Sequence, residues 1–418
     1  MPTFEQARPI FDWLMMHPAL LAFLVIVMPF LGYFGRFAYQ SSISPKVEKA
    51  EKARPRYFTK PELLNPPADR RGYSDRMAYF MSELSHLAYY EFEKSDDVVA
   101  QMLEEHVPTE GNPNQMSADE KERREVQTAV KLLAAGGNTE VLRNLLKQVD
   151  IELIDTLDED QVQGFICKAL GAQEGGRYFY SFLVVAFRGS EKKVDDWLTN
   201  VDGDPIALDN NALVHSGFYS SVSNPTVARK ISQVIDEDYP SLPLYFTGHS
   251  LGGAWALLAS AIHAPSRVGA CYTFGAPRTA NYDFFFPLKV PVYRVVNSAD
   301  IVPRLPPAEP VVLSIYYFFQ FLAEMTRWMP FVPRLLTTAA NWVYRLKDYR
   351  HHGDERYLTD VKEAKWESTK LLHNPAGYDR LRWAMHAIRA YTPFVPLKSH
   401  SMFIYRDKLA SLAARKQV

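Results

Sequence analysis

The chain has 418 residues, with 47 Lys and Arg against 48 Asp and Glu, for a formal net charge of −1. That balance excludes the basic footprint of a nucleic-acid-binding protein, so no nucleic-acid partner is expected. The length admits two domains, but one α/β enzyme domain carrying insertions accounts for it as well.

Residues 1–12 read as a tail. From Trp13 to Gly35 there is no Lys, Arg, Asp or Glu, and a helix of that length spans about 33 Å, enough for a hydrocarbon core. Pro18 and Pro29 interrupt the run. A cleaved signal peptide fits poorly, because Glu5 and Asp12 offset Arg8 and no small-x-small site follows. An uncleaved membrane anchor over 13–38 is the reading, with a buried or interfacial helix as the alternative. Arg36, Lys46, Lys49, Lys52, Arg54, Arg56 and Lys60 come next. By the positive-inside rule they place the following domain in the cytoplasm. Residues 39–72 are rich in Pro and charge and read as a linker. Asp75–Tyr90 then sets Met77, Phe80, Met81, Leu84, Leu87 and Ala88 at helical spacing. Residues 95–150 are polar and helical and read as a decoration of the domain that begins at 73.

The most informative segment is Gly248-His249-Ser250-Leu251-Gly252-Gly253. It follows the apolar run Leu244-Tyr245-Phe246 and precedes the helix-forming run Ala254–Ala259. Strand, sharp turn at a Gly-flanked Ser, then helix is the pattern of a nucleophile elbow. The turn exposes the Ser250 hydroxyl, the glycines permit the bend, and the helix start turns backbone N–H groups toward a developing oxyanion. Partners should follow in the order acid, then His. Val292–Val296 has strand length and is followed by Asn297-Ser298-Ala299-Asp300, which sets Asp300 just past a strand's carboxyl end. Five histidines come later: His351, His352, His373, His386 and His400. His386 lies in an amphipathic helix over Tyr378–Tyr391 and His373 in a turn. The residues alone leave the base open among the rest.

The chain resembles the class 3 lipases, the family of fungal triacylglycerol lipases and their bacterial and plant relatives. The resemblance rests on Val184–Ser190, Asp196–Asn200, Val214–Phe218, the elbow, Thr273–Arg278, Asn297–Pro307, and His400 with Tyr405. It implies an α/β-hydrolase fold with a mostly parallel central sheet and helical insertions, over 73–410. It assigns the base to His400 and makes the 352–355 segment a structural strand. It also implies an oxyanion hole from the backbone N–H groups of Ser190 and Leu251. Ser250, Asp300 and His400 would then hydrolyse carboxylic esters through an acyl-enzyme, with no cofactor and no metal. Secreted fungal relatives carry disulfides. Here Cys167 and Cys271, both in apolar strand-like settings, read as buried thiols of a reducing compartment.

Two insertions separate Asp300 from His400, at 311–346 and 361–396. The first is dense in aromatics: Tyr316, Tyr317, Phe318, Phe319, Phe321, Trp328, Phe331 and Trp342. A second transmembrane span is disfavoured, since it would put His400 across the membrane from Ser250. A helical hairpin over the active site that dips into the bilayer explains the same residues, and so does a core insertion. The segment at 191–204, where fungal relatives carry a mobile lid, offers only Trp197, Leu198 and Val201 as apolar contacts. The expected function is a membrane-associated lipase or phospholipase A1-like enzyme. Its partners would be a lipid bilayer and an acyl-glycerol or phospholipid substrate. Hydrolysis of soluble esters or thioesters, and an idle scaffold that keeps the fold, are the alternatives.

Overall fold

The computed structural model describes residues 57–66, 72–89, 139–159, 162–170, 173–174, 177–178, 181–189, 205–264, 266, 269–359, 365–380, 382 and 399–415. The expected tail, anchor and most of the linker at 1–56, most of the 95–150 decoration, Ser190, the 191–204 segment and most of the 361–396 insertion lie outside them.

Eight strands form one sheet whose spatial order is their chain order. They are β1 (Ile151–Glu159), β2 (Val162–Ala169), β3 (Phe182–Phe187), β4 (Leu244–His249), β5 (Gly269–Phe274), β6 (Val292–Asn297), β7 (Asp354–Leu358) and β8 (Leu371–His373). The neighbours from β3 to β7 are parallel. The first two pairings and the last are antiparallel. Every residue of β3, β4, β5 and β6 is buried. That is why these runs are largely apolar rather than alternating, with Thr247, His249, Thr273, Arg294 and Asn297 as their buried polar members: helices cover both faces of a parallel sheet.

The helices that shape the site and its surroundings are α1 (Asp75–Leu87), α2 (Leu251–His263), α3 (Glu309–Met325), α4 (Val332–Tyr344) and α5 (Met402–Arg415). On one face α1 and α5 bury Phe80, Leu84, Tyr405 and Leu409 against Phe165, Val184, Tyr245 and Tyr272. On the other, α2 buries Trp255 and Leu258 against Ile166, Val185, Phe246 and Cys271. The Ser74 hydroxyl oxygen caps α1 by accepting from the Met77 N–H. Both cysteines are buried free thiols, and burial pushes Cys271 up to about 12 and Cys167 up as well.

Two buried histidines set an acid limit on this core. Burial, and secondarily the adjacent Arg406 guanidinium, pushes His86 down to about 3; burial pushes His215 down to about 4. Both folded values lie below the ordinary histidine range, so below pH 6.5 the unfolded chain binds protons that the folded chain refuses. Their contribution is complete above that pH and is lost as pH falls toward 4, at up to about 1.4 kcal/mol per pH unit for each group. Urea unfolding should therefore give a smaller free energy at pH 5 than at pH 7.5. His215→Asn, which keeps a cap for the helix that begins at Ser216, should lessen the difference. Equal stability at the two pH values would contradict the assignment.

The expected single-pass anchor with a cytoplasmic catalytic domain is corrected. Among the described residues no helix is long and apolar enough to cross a membrane. The most aromatic one, α3, has 17 residues and reaches only about 26 Å, short of a hydrocarbon core.

Candidate active site

Ser250 sits between β4 and α2 at φ 56° and ψ −125°. This backbone is costly for a residue with a side chain, and the surroundings hold it in place. The Ser250 N–H donates to the Phe274 carbonyl at 2.9 Å, and the Ser250 carbonyl accepts from Gly253 and Ala254. A Cβ on Gly248 would lie 2.2 Å from the Gly252 carbonyl oxygen, and one on Gly252 would lie 2.4 Å from that of Phe187. The elbow therefore closes only because both flanking residues lack side chains. Leu251 opens α2, so its N–H has no acceptor within the helix.

Asp300 lies past the end of β6 and is fully buried. Its carboxylate accepts from the Val302 N–H at 3.0 Å, from the Tyr405 hydroxyl at 2.6 Å, and from His400 Nδ1 at 3.0 and 2.9 Å. A carboxylate only accepts, so the His400 proton resides on Nδ1 and Nε2 presents its lone pair. His400 Nε2 is buried without a hydrogen-bond partner among the described residues. The Ser250 hydroxyl is not bonded to it in this arrangement, and such contacts commonly tighten only when substrate binds.

Two connections bring Ser250 and His400 to one place. Gly275 follows Phe274, to which Ser250 is bonded. A Cβ on Gly275 would lie 2.8 Å from Asp300 Oδ2 and 3.1 Å from His400 Cε1. His249, which precedes Ser250, donates from Nε2 to the His400 carbonyl at 2.7 Å. Its Nδ1 accepts from the Tyr89 hydroxyl at 2.7 Å. The His249 and His400 rings lie 4.5 Å apart. Burial, followed by His400 itself, holds His249 well below the ordinary range, so a neutral ring stands beside the base.

The Asp300 loop has a second support. Tyr405 accepts from the Asn297 N–H while it donates to Asp300. Burial and then the Asp300 charge raise its own ionisation well above the usual phenol range. The Asn297 amide donates to the Ser399 carbonyl at 2.7 Å, and Lys408 Nζ donates to Asn297 Oδ1 at 2.7 Å. The turns on either side of the site are thus tied by side chains from α5.

The structure brings Ser250, Leu251, Asp300 and His400 together. Ser190 lies outside the described residues. The chain reaches it from Gly189, where a Cβ would lie 2.5 Å from the His249 carbonyl oxygen, so it passes close to the elbow. Of the other histidines, His351 donates from Nε2 to the Pro303 carbonyl, and His352 stacks on Phe285 at 4.9 Å. His373 is exposed on β8, and His386 lies outside the described residues. The sequence alone does not single out Tyr89, Asn297 or Lys408. Their roles come from contacts across the fold, and nothing in their local sequence signals them. Among the described residues, no three His, Cys, Asp or Glu side chains are grouped to hold a metal ion.

Residues 184–309 match the class 3 lipase family, and that stretch runs from β3 through the elbow and Asp300 to the start of α3. Over those residues the chain is similar to the class 3 lipases. With its largely parallel sheet and elbow, it has the α/β-hydrolase fold. Among curated relatives, a lipase of Rhizomucor miehei is 34% identical over 140 residues, covering 30% of this chain and 38% of that one. The secreted mono- and diacylglycerol lipase 1 of Fusarium solani is 36% identical over 135 residues, covering 30% and 39%. A triacylglycerol lipase of Ricinus communis is 25% identical over 213 residues, covering 36% and 40%. The chain thus matches about two fifths of these relatives' lengths. Among solved structures, the lipase from Rhizopus microsporus var. chinensis is 20% identical, with a TM-score of 0.39 over 72% of this chain and 94% of that one. The secreted Fusarium relative also runs against the expected cytoplasmic placement of the catalytic domain.

Proposed function

We propose that the protein is a carboxylic ester hydrolase acting on acyl-glycerol lipids, with Ser250, Asp300 and His400 as its triad. The observation that carries this reading is the buried Asp300–His400 pair, which leaves His400 Nε2 bare beside the strained Ser250 elbow. His400 Nε2 takes the hydroxyl proton as Ser250 Oγ attacks the ester carbonyl. Asp300 holds the imidazole tautomer and stabilises its charged form. The N–H groups of Leu251 and Ser190 receive the oxyanion, each worth about 2.7–4 kcal/mol in the transition state. The proton then passes from His400 to the departing glycerol oxygen, and water releases the acyl group by the same steps.

The family relatives named as lipases of mono-, di- and triacylglycerols support an acyl-glycerol substrate. Phospholipase A1-like cleavage extends the same chemistry to a glycerol ester that carries a headgroup. A panel of triacylglycerol, diacylglycerol, phosphatidylcholine and a short soluble ester separates these, with Ser250→Ala protein as the blank. The expected result is Ser250-dependent turnover of the acyl-glycerols. Turnover of the soluble ester alone would move the reading to a general esterase, and none at all to an idle scaffold.

A further inference from the structure

Helices α3 and α4 form an antiparallel hairpin rooted in the loop that carries Asp300. Its base is fastened: Val312, Leu346 and Tyr349 form a small core, and Arg350 pairs with Glu309 at 2.7 Å. Its far end is different. Met325, Trp328, Phe331 and Leu335 are 61, 81, 85 and 72% exposed, and all four lie at or beside the connection between the helices. Phe331 is held there at φ 70°, a conformation that bulky residues rarely adopt. So tight an apolar cluster on an exposed turn marks an interaction surface rather than scattered surface residues.

We infer that the free end of this hairpin inserts shallowly into a phospholipid surface and so sets the proposed active site beside its lipid substrate. The inference rests on the acyl-glycerol reading for what is delivered, and on the hairpin alone for the docking. Three features select a lipid surface. The apolar end carries a cationic rim: Arg327 and Arg334 are exposed against Glu324, and Arg327 already pairs with Glu324 at 3.1 Å. A residual positive charge beside Trp and Phe suits the phosphate level of a bilayer, where indole rings also settle. Neither helix is long enough to span, so the contact stays within one leaflet. The hairpin also leaves the body from the Asp300 loop, so whatever its end touches is connected to the site through α3.

The test uses the full chain with Ser250→Ala, so that vesicles are not hydrolysed. A fluorescent thiol label is placed through Phe331→Cys and, separately, through Ser220→Cys on the exposed body. Cys167 and Cys271 are buried and leave the introduced thiol as the reactive one. On vesicles of phosphatidylcholine, and of phosphatidylglycerol, the label at 331 should shift to the blue and be quenched by nitroxide-bearing lipids. The label at 220 should keep its aqueous spectrum. A label at 331 that stays aqueous on bound protein, or protein that does not bind, overturns the inference. So does a label already shifted without vesicles, which would mean the chain itself or a second copy covers the end. In the active chain, Trp328→Ser, Phe331→Ser and Leu335→Ser together should slow hydrolysis of triacylglycerol in vesicles by about tenfold or more, given the apolar area withdrawn. A short soluble ester should be cleaved as before, and equal loss on both substrates counts against the inference. If the parent chain cleaves neither ester, the acyl-glycerol reading fails while the label experiment still decides the docking.

Discussion

Ser250→Ala should lower ester turnover by about four to six orders of magnitude, with KM little changed and folding intact. The hydroxyl is the attacking atom, and the elbow backbone is held by the Phe274 carbonyl and the flanking glycines rather than by the side chain. His400→Ala should cost a comparable factor, and the double variant little more than either single one, because the two groups act as a unit. His352→Ala should cost less than about tenfold, since a ring stacked on Phe285 is a packing feature. Steady-state kinetics on one ester checks all four proteins. Loss of turnover in His352→Ala with activity retained in His400→Ala would show that the base had been misassigned.

Asp300→Asn should reduce turnover by about ten-thousand-fold while the site keeps its shape. An amide can donate to His400 Nδ1, which would drive the imidazole proton onto Nε2 and leave no base facing Ser250. The same change removes an acceptor for the Tyr405 hydroxyl. Tyr405→Phe is the control. It deletes one of several hydrogen bonds to Asp300 and leaves the tautomer in place, so its loss should stay within about a hundredfold. Its kcat should fall more than its KM rises, which a general loss of folding would not produce. If Asp300→Asn and Tyr405→Phe lose equal activity, Asp300 acts by holding the loop rather than by orienting His400.

The parts of this site that are local in the chain were legible in the sequence. The elbow shows in one hexapeptide because a Ser at positive φ, tightly flanked by helix and strand, demands glycines at 248 and 252. Strands β4 and β6 show as apolar runs because both faces of a parallel sheet are covered. The choice among five histidines was not legible from the residues alone. His400 is identified by a contact to Asp300 across 100 positions, and only the family resemblance pointed to it in advance. Tyr89 and Lys408 were opaque for the same reason: a Tyr at a helix end and a Lys on a helix look like ordinary surface residues. Each is instead spent on a hydrogen bond from a distant element. The aromatic insertion was visible as composition, but that its apolar cluster stands exposed at the far end depends on which residues the two helices turn toward each other.

In the proposed reaction everything depends on His400 activating Ser250 as a nucleophile. Reaction with a fluorophosphonate, followed by peptide mass spectrometry, tests it most directly, since that reagent bonds to an activated serine and mimics the tetrahedral intermediate. One equivalent of label is expected, located on Ser250, and His400→Ala should slow its attachment by several orders of magnitude. A label on another serine, or labelling of Ser250 at the same rate without His400, would contradict it.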